Sequence, residues 1–225
     1  TEINVPQRPF EIENVDTVTV PLAQSGYTTE YLRYRITIND RPNETNYYRI
    51  VIDKQTTLWG YNHEEGGDDY IYWTKHSYNF IGREDVVLTD GQPTTGDDED
   101  NGLFDTAKNI YGVFDDTRFR NTSYTMTVYN NTKIETGSDS GYFSGMDVII
   151  RLMSITETEY YYLKALNLVD SDAYDETINE PIKYPSNVHG GTGMVGISTE
   201  VTQTIHIISS SHSKGNLAPP VHVYQ

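Results

Sequence analysis

The sequence contains no cysteine, so neither a disulfide framework nor thiol chemistry is open to it. Basic residues are few: 16 Lys and Arg stand against 33 Asp and Glu, for a net charge of −17. A chain this acidic lacks the cationic footprint that nucleic acid or an anionic membrane surface requires. Long apolar runs are missing too, and no stretch approaches the ~20 residues of a membrane-crossing helix. Leu and Ala are scarce. In their place stand 19 tyrosines, and aromatic and β-branched enrichment favours strands over helices. With 225 residues the chain is long enough for one large domain, or two small ones, with a proper core.

Alternation with a period of two is the dominant pattern. Leu32, Tyr34, Ile36 and Ile38 fall on one face, against Arg33, Arg35 and Thr37 on the other. Tyr48, Ile50 and Ile52 alternate in the same way with Tyr47, Arg49 and Val51. The pattern returns at Tyr124, Met126 and Val128, at Val148, Ile150 and Leu152, and at Ile197, Val201, Ile205 and Ile207. Strands of this kind cover a core with one face and meet water with the other, as antiparallel sheets do. The turn-rich segment 39–46 joins the first two as a hairpin.

One helix interrupts the strands, at about 154–170. Ser154 and Glu157 have capping-box spacing, and Tyr162, Leu163, Leu166 and Val169 share one helical face. It is predicted to cross one end of a sandwich. Residues 56–110 read as a long insertion between core strands, containing a strand near 68–80 and an acidic loop at 89–102. A Ser/Gly-rich loop follows at 133–145. Long insertions on β-scaffolds are where function is often carried.

The motifs that invite a chemical reading are weak in context. Gly191, Gly193 and Gly196 fit G-x-G-x-x-G, the spacing that cradles a dinucleotide pyrophosphate. That motif needs a strand before it and a helix after it. Here a proline-bearing loop precedes it and a strand pattern follows, so the glycines instead predict a tight turn at Gly190-Gly191 feeding a last core strand at 197–207. Asp97, Glu99, Asn101 and Gly102 fit the start of a calcium loop, but Lys108 stands where a bidentate Glu belongs. A solvated acidic loop is the simpler reading. None of the six histidines has H-E-x-x-H spacing, and Ser144 in "GYFSG" does not match a nucleophile elbow. No catalytic residue, metal site or cofactor is read from the sequence. Asn43, Asn121 and Asn130 each begin an N-x-Ser/Thr glycosylation pattern, which carries meaning only in a secretory context.

The aromatic cluster Trp59, Tyr61, Tyr70, Tyr72 and Trp73 is the candidate ligand-contact set. Such residues either fill a sandwich core or offer their faces to a sugar ring or a protein partner.

The order of segments carries a resemblance. "NYYRIVI" (46–52) is followed by "VFDDTRF" (113–119) and the strand "SYTMTVY", then by "IIRLMSITETEYYYLKALN" and finally "PSNVHGGTGMVGI". This series resembles the C-terminal region of the domain-of-unknown-function 4249 family, cell-surface lipoproteins of Bacteroidota, over about residues 5–208. Phe114, Asp116 and Phe119 match its Phe-Ser-Asp-x-x-Phe-x-Gly motif, with Asp115 and Arg120 departing from it. Asn187, Gly190, Gly191, Gly193 and Gly196 match its closing glycine motif.

The resemblance implies an immunoglobulin- or fibronectin-like antiparallel β-sandwich at 9–208. Residues 1–8 would be the linker from an N-terminal domain absent from this chain, and 209–225 a tail. It also implies an outer-membrane anchor on the extracellular face, through a lipidated Cys that this chain lacks. The role implied is that of a non-enzymatic accessory module beside a TonB-dependent, Sus-type uptake system. Its partner would be the transporter or another surface lipoprotein. The alternative is a glycan-binding module using the 59–73 aromatics, and the ligand expected is a glycan or a peptide.

Overall fold

The computed structural model describes residues 4–24, 27–62, 69–78, 80, 82, 85–91, 109–131, 142–170 and 182–207. At 22–24, 27–30, 61–62, 69–71, 131 and 142–144 it describes the backbone alone. The acidic loop with Asp97–Gly102, most of the Ser/Gly-rich stretch and the tail from 208 lie outside these residues.

The chain is mainly β with one helix, in an arrangement consistent with an antiparallel β-sandwich. One sheet holds β1 (Asn14–Gln24), β2 (Tyr27–Asn39) and β6 (Ser123–Asn131), in the order β1-β2-β6. The other holds β3 (Tyr47–Asn62), β4 (Asp69–Ser77), β5 (Val113–Asp115), β7 (Tyr142–Ile155) and β8 (Thr199–Ile207). Its order is β4-β3-β7-β8, with β5 on the start of β3 and β4 on its end. Two compact units are formed: Thr1–Ile52 with Asn79–Lys133 and Ile150–Gln203, and Asp53–Tyr78 with Ile134–Ile149 and Thr204–Gln225.

The period-two reading places the core correctly. Leu32, Tyr34, Ile36 and Ile38 are buried along β2, Tyr48, Ile50 and Ile52 along β3, and Val148, Ile150 and Leu152 along β7. The helix α1 runs Glu157–Val169, and its cap is Thr156 rather than Ser154. The Thr156 hydroxyl accepts from the Glu159 N–H at 3.2 Å. Ser154 is still a buried strand residue of β7. The buried face also differs from the one the periodicity predicts: Tyr160, Leu163 and Asn167 turn inward. Tyr160 and Leu163 pack with Val113 and Ile155, while Tyr162 and Leu166 lie at the margin of that cluster. Asn167 is buried because it is fully used. Its amide donates to Asn109 Oδ1 at 2.9 Å, and its oxygen accepts from the Tyr111 N–H at 3.1 Å.

Buried aspartates fasten the connections of the first unit. Asp116 is wholly buried and accepts from the backbone and side-chain nitrogens of Asn46, at 2.8 and 3.2 Å, and from Arg120 at 3.0 Å. Asp40 accepts from the Tyr48 hydroxyl, the Asn46 amide and the Asn121 N–H. Two of the sequon asparagines, Asn43 and Asn121, are left-handed turn residues in this same knot, and Asn130 is buried.

Asp116→Ala removes the buried acceptor of the Asn46 N–H and of Arg120, while the Asn46 side-chain amide keeps Asp40 and the Arg41 carbonyl, so a loss of about 2–4 kcal/mol is expected in urea unfolding. A loss below about 1 kcal/mol would show that the knot is not structural. Tyr34 carries the opposite expectation. Its buried hydroxyl has no hydrogen-bond partner among the described residues. Tyr34→Phe is therefore expected to hold or raise stability by up to about 1 kcal/mol, and a clear drop would reveal a hidden partner.

Candidate binding face on the β3–β4 hairpin

The five sequence-predicted aromatics lie on one antiparallel hairpin. Trp59 pairs with Tyr72, Leu58 with Trp73 and Tyr61 with Tyr70. Directly paired residues share a face and neighbours in sequence do not, so Trp59 and Tyr72 lie opposite Trp73. Trp73 is half-buried, and its ring lies over Gly60, where an added Cβ would come within 3.2 Å of it. It covers a strand glycine. Trp59 is buried too, at 9% exposure, so its ring is largely withdrawn from solvent. Tyr72 is the exposed one, at 46%. The side chains of Tyr61 and Tyr70 lie outside the described residues.

Along β4 and just past its end, the alternation continues beyond Tyr72 into residues that the aromatic reading passed over. Thr74, His76 and Tyr78 are all exposed, two residues apart, so with Tyr72 they form a row with a repeat of ~6.8 Å. The opposing β3 residues are buried or half-buried. Behind the row, the buried Asp53 carboxylate lies 3.0 and 3.1 Å from His76 Nδ1 and accepts from Gln55 Nε2 at 2.7 Å. A carboxylate on Nδ1 fixes the ring orientation and leaves Nε2 as the atom that can meet a ligand. The Tyr78 ring lies nearly parallel to the imidazole, with centroids 6.1 Å apart. The result is a hydroxyl, an oriented imidazole and two phenol rings in line. It suits recognition by hydrogen bonding and ring contact.

None of this forms a metal centre: among the described residues no three His, Asp or Glu side chains converge on one point. The glycine segment is no phosphate cradle. It turns at His189-Gly190, with Gly190 at a φ of +77°, and enters β8 at Thr199, two residues later than the alternation suggested. The loop closes on itself. Asn187 donates to the Val195 carbonyl at 2.8 Å and accepts from the Val195 N–H at 2.9 Å, and Ser186 donates to the Gly193 carbonyl at 2.8 Å. Gly196 then passes so close to the Glu159 carboxylate that a Cβ would lie 2.8 Å from it.

These details explain the motifs. Asp116 knots two turns, Phe114 and Phe119 are core rings, and Asn187 staples the glycine loop. The family model described as "Domain of unknown function (DUF4249)" matches residues 1–204. The chain belongs to the DUF4249 family. A search of curated proteins finds no match. Among the described residues of this DUF4249 chain, no helix is long and apolar enough to cross a membrane.

Glu159 gives this part of the DUF4249 fold a pH dependence. Burial raises its pKa above the usual 4.5, partly opposed by the nearby Arg49, and its buried Oε2 has no hydrogen-bond partner among the described residues. A carboxyl with a raised folded pKa contributes stability that is complete below its unfolded pKa and is lost as pH rises through the folded one. Glu159→Gln should therefore flatten thermal stability against pH from about 4 upward and raise it at neutral pH relative to wild type. An unchanged pH profile would contradict this.

Proposed function

We propose that this DUF4249 protein is a non-enzymatic accessory module at the cell surface. It captures a protein partner or ligand beside an outer-membrane, TonB-dependent uptake system of the Sus type. The observation that carries the capture reading is the row Tyr72–Thr74–His76–Tyr78, with His76 oriented by a buried carboxylate. Holding an aspartate out of water has a desolvation cost, and here it serves a side chain that faces solvent. Tyrosine and histidine supply contact area with polar tips, the composition favoured at protein interfaces. The location at the outer membrane and the transporter partner rest on the family resemblance. The charge of −17 supports a soluble, self-repelling surface and a partner with cationic character.

A second reading, a glycan-binding module, is favoured by the two exposed phenol rings flanking a hydrogen-bonding imidazole. Sugar rings stack on such faces and share their hydroxyls with such groups.

Cross-linking pull-down from native membranes tests the first reading. Wild type should capture an outer-membrane transporter or a surface lipoprotein, and Tyr72→Ala/His76→Ala should capture about tenfold less or worse. Recovery of no such partner would remove the reading. Oligosaccharide binding that disappears in Tyr72→Ala would favour the glycan reading instead.

A further inference from the structure

We propose that His76 is the axial ligand of a metal ion delivered in a planar organic chelate, a complex of the metalloporphyrin kind. The chelate would lie over Thr74 and the half-buried β3 residues beside it, with a phenol ring toward each end. The proposal rests on the capture reading above and names the ligand of that row.

Three features point to coordination. The first is the support behind the ring. The Asp53 side chain is only 3% exposed, yet both its oxygens lie within 3.1 Å of Nδ1 of an imidazole that is 43% exposed. Gln55 donates to the same carboxylate and helps to fix it. A carboxylate on one ring nitrogen is the companion that metal-binding histidines usually carry, because it sets the tautomer and makes the other nitrogen a better donor. The two nitrogens of an imidazole point in nearly opposite directions, so Nδ1 turned toward a buried group leaves Nε2 facing outward.

The second feature is that His76 has no companion ligands. Among the described residues no group of three His, Asp or Glu side chains could hold a metal ion. A bare transition-metal ion is held by three or four protein ligands. A single imidazole therefore suits a metal whose other positions are filled before it arrives, as a proximal histidine suits haem iron.

The third feature is the shape of the surface. Thr74 is short, and the β3 residues Gln55 and Thr57 beside it are half-buried, so they make a low floor next to the ring. Tyr72 and Tyr78 are exposed at 46% and 56% along the same row. The Tyr78 ring stacks on the face of the imidazole, which leaves the in-plane lone pair of Nε2 clear of it. A flat floor bounded by aromatic rings favours a flat, largely apolar guest. His206 provides the contrast. Its Nδ1 lies 2.7 Å from Asp147, but there both side chains are exposed, at 74% and 49%, as in an ordinary surface pair that water competes for.

The test is titration of the full chain with ferric protoporphyrin IX, followed by absorption spectroscopy, beside metal-free protoporphyrin IX. One ferric porphyrin should bind per chain, with the spectrum of an imidazole-ligated iron and at least about tenfold more tightly than the metal-free ring. His76→Ala should lose that spectrum and at least about tenfold in affinity, and free imidazole should restore the spectrum. His206→Ala should behave as wild type. The comparison of the two porphyrins uses wild-type protein, so it holds even if a variant folds poorly. Equal binding of the two porphyrins, a spectrum that survives His76→Ala, or no binding of ferric porphyrin would each overturn axial ligation. If the pull-down partner depends on Tyr72 and His76 while ferric porphyrin does not bind, ligation fails and the capture reading stands. If ferric porphyrin binds through His76 while no partner is recovered, ligation stands and the protein-capture reading falls.

Discussion

The fold depends on where an acidic chain without cysteine places its buried carboxylates. Asp40, Asp53, Asp85 and Asp116 are all buried, and each ties segments that are distant or irregular. Asp116 and Asp40 knot the β2–β3 connection to the turn after β5. Asp85 accepts from the Val87, Leu88 and Thr127 N–H groups, and burial raises its pKa despite those bonds. Their partners are mostly backbone and side-chain N–H groups rather than cations. Such bonds offset the desolvation of each carboxylate locally and hold turns that no disulfide is present to hold.

Three of these aspartates serve the scaffold and one serves the surface. Asp53 orients an imidazole that is exposed to solvent, in the second compact unit. The same division runs through the family signatures. Asp116, Phe119, Asn187 and Gly196 are explained by knots, packing and close approach, and none of them presents a reactive group to solvent. The residues that do face solvent in a chemically coherent row, from Tyr72 to Tyr78, lie outside those signatures. Motif residues keep the shape, and the proposed recognition rests on the hairpin.

Most of the sheet framework was legible in the sequence because burial imposes a period of two that composition does not blur. Leu32 to Ile38 and Val148 to Leu152 are plain cases. The helix was legible in place but not in detail. Thr156 and Glu159 offer the same capping spacing two residues after Ser154 and Glu157, and only the end of β7 at Ile155 decides between them. The buried face was misplaced because Asn167 is polar, and its burial depends on Asn109, 58 residues away. The exposed row on β4 was half legible. Aromatic content pointed to the hairpin, but which rings are exposed depends on strand register and on Gly60, which draws Trp73 over itself. The contact between Asp53 and His76 joins residues 23 apart in the chain and leaves no local signal.

The division between scaffold motifs and a recognising hairpin is tested most directly by deuterium exchange of the full chain, with and without solubilised native outer membranes. The account predicts slowed exchange across 69–78 on adding the membranes, with 113–122 and 186–196 unchanged. Protection centred on the glycine segment, with β4 unaffected, would contradict it.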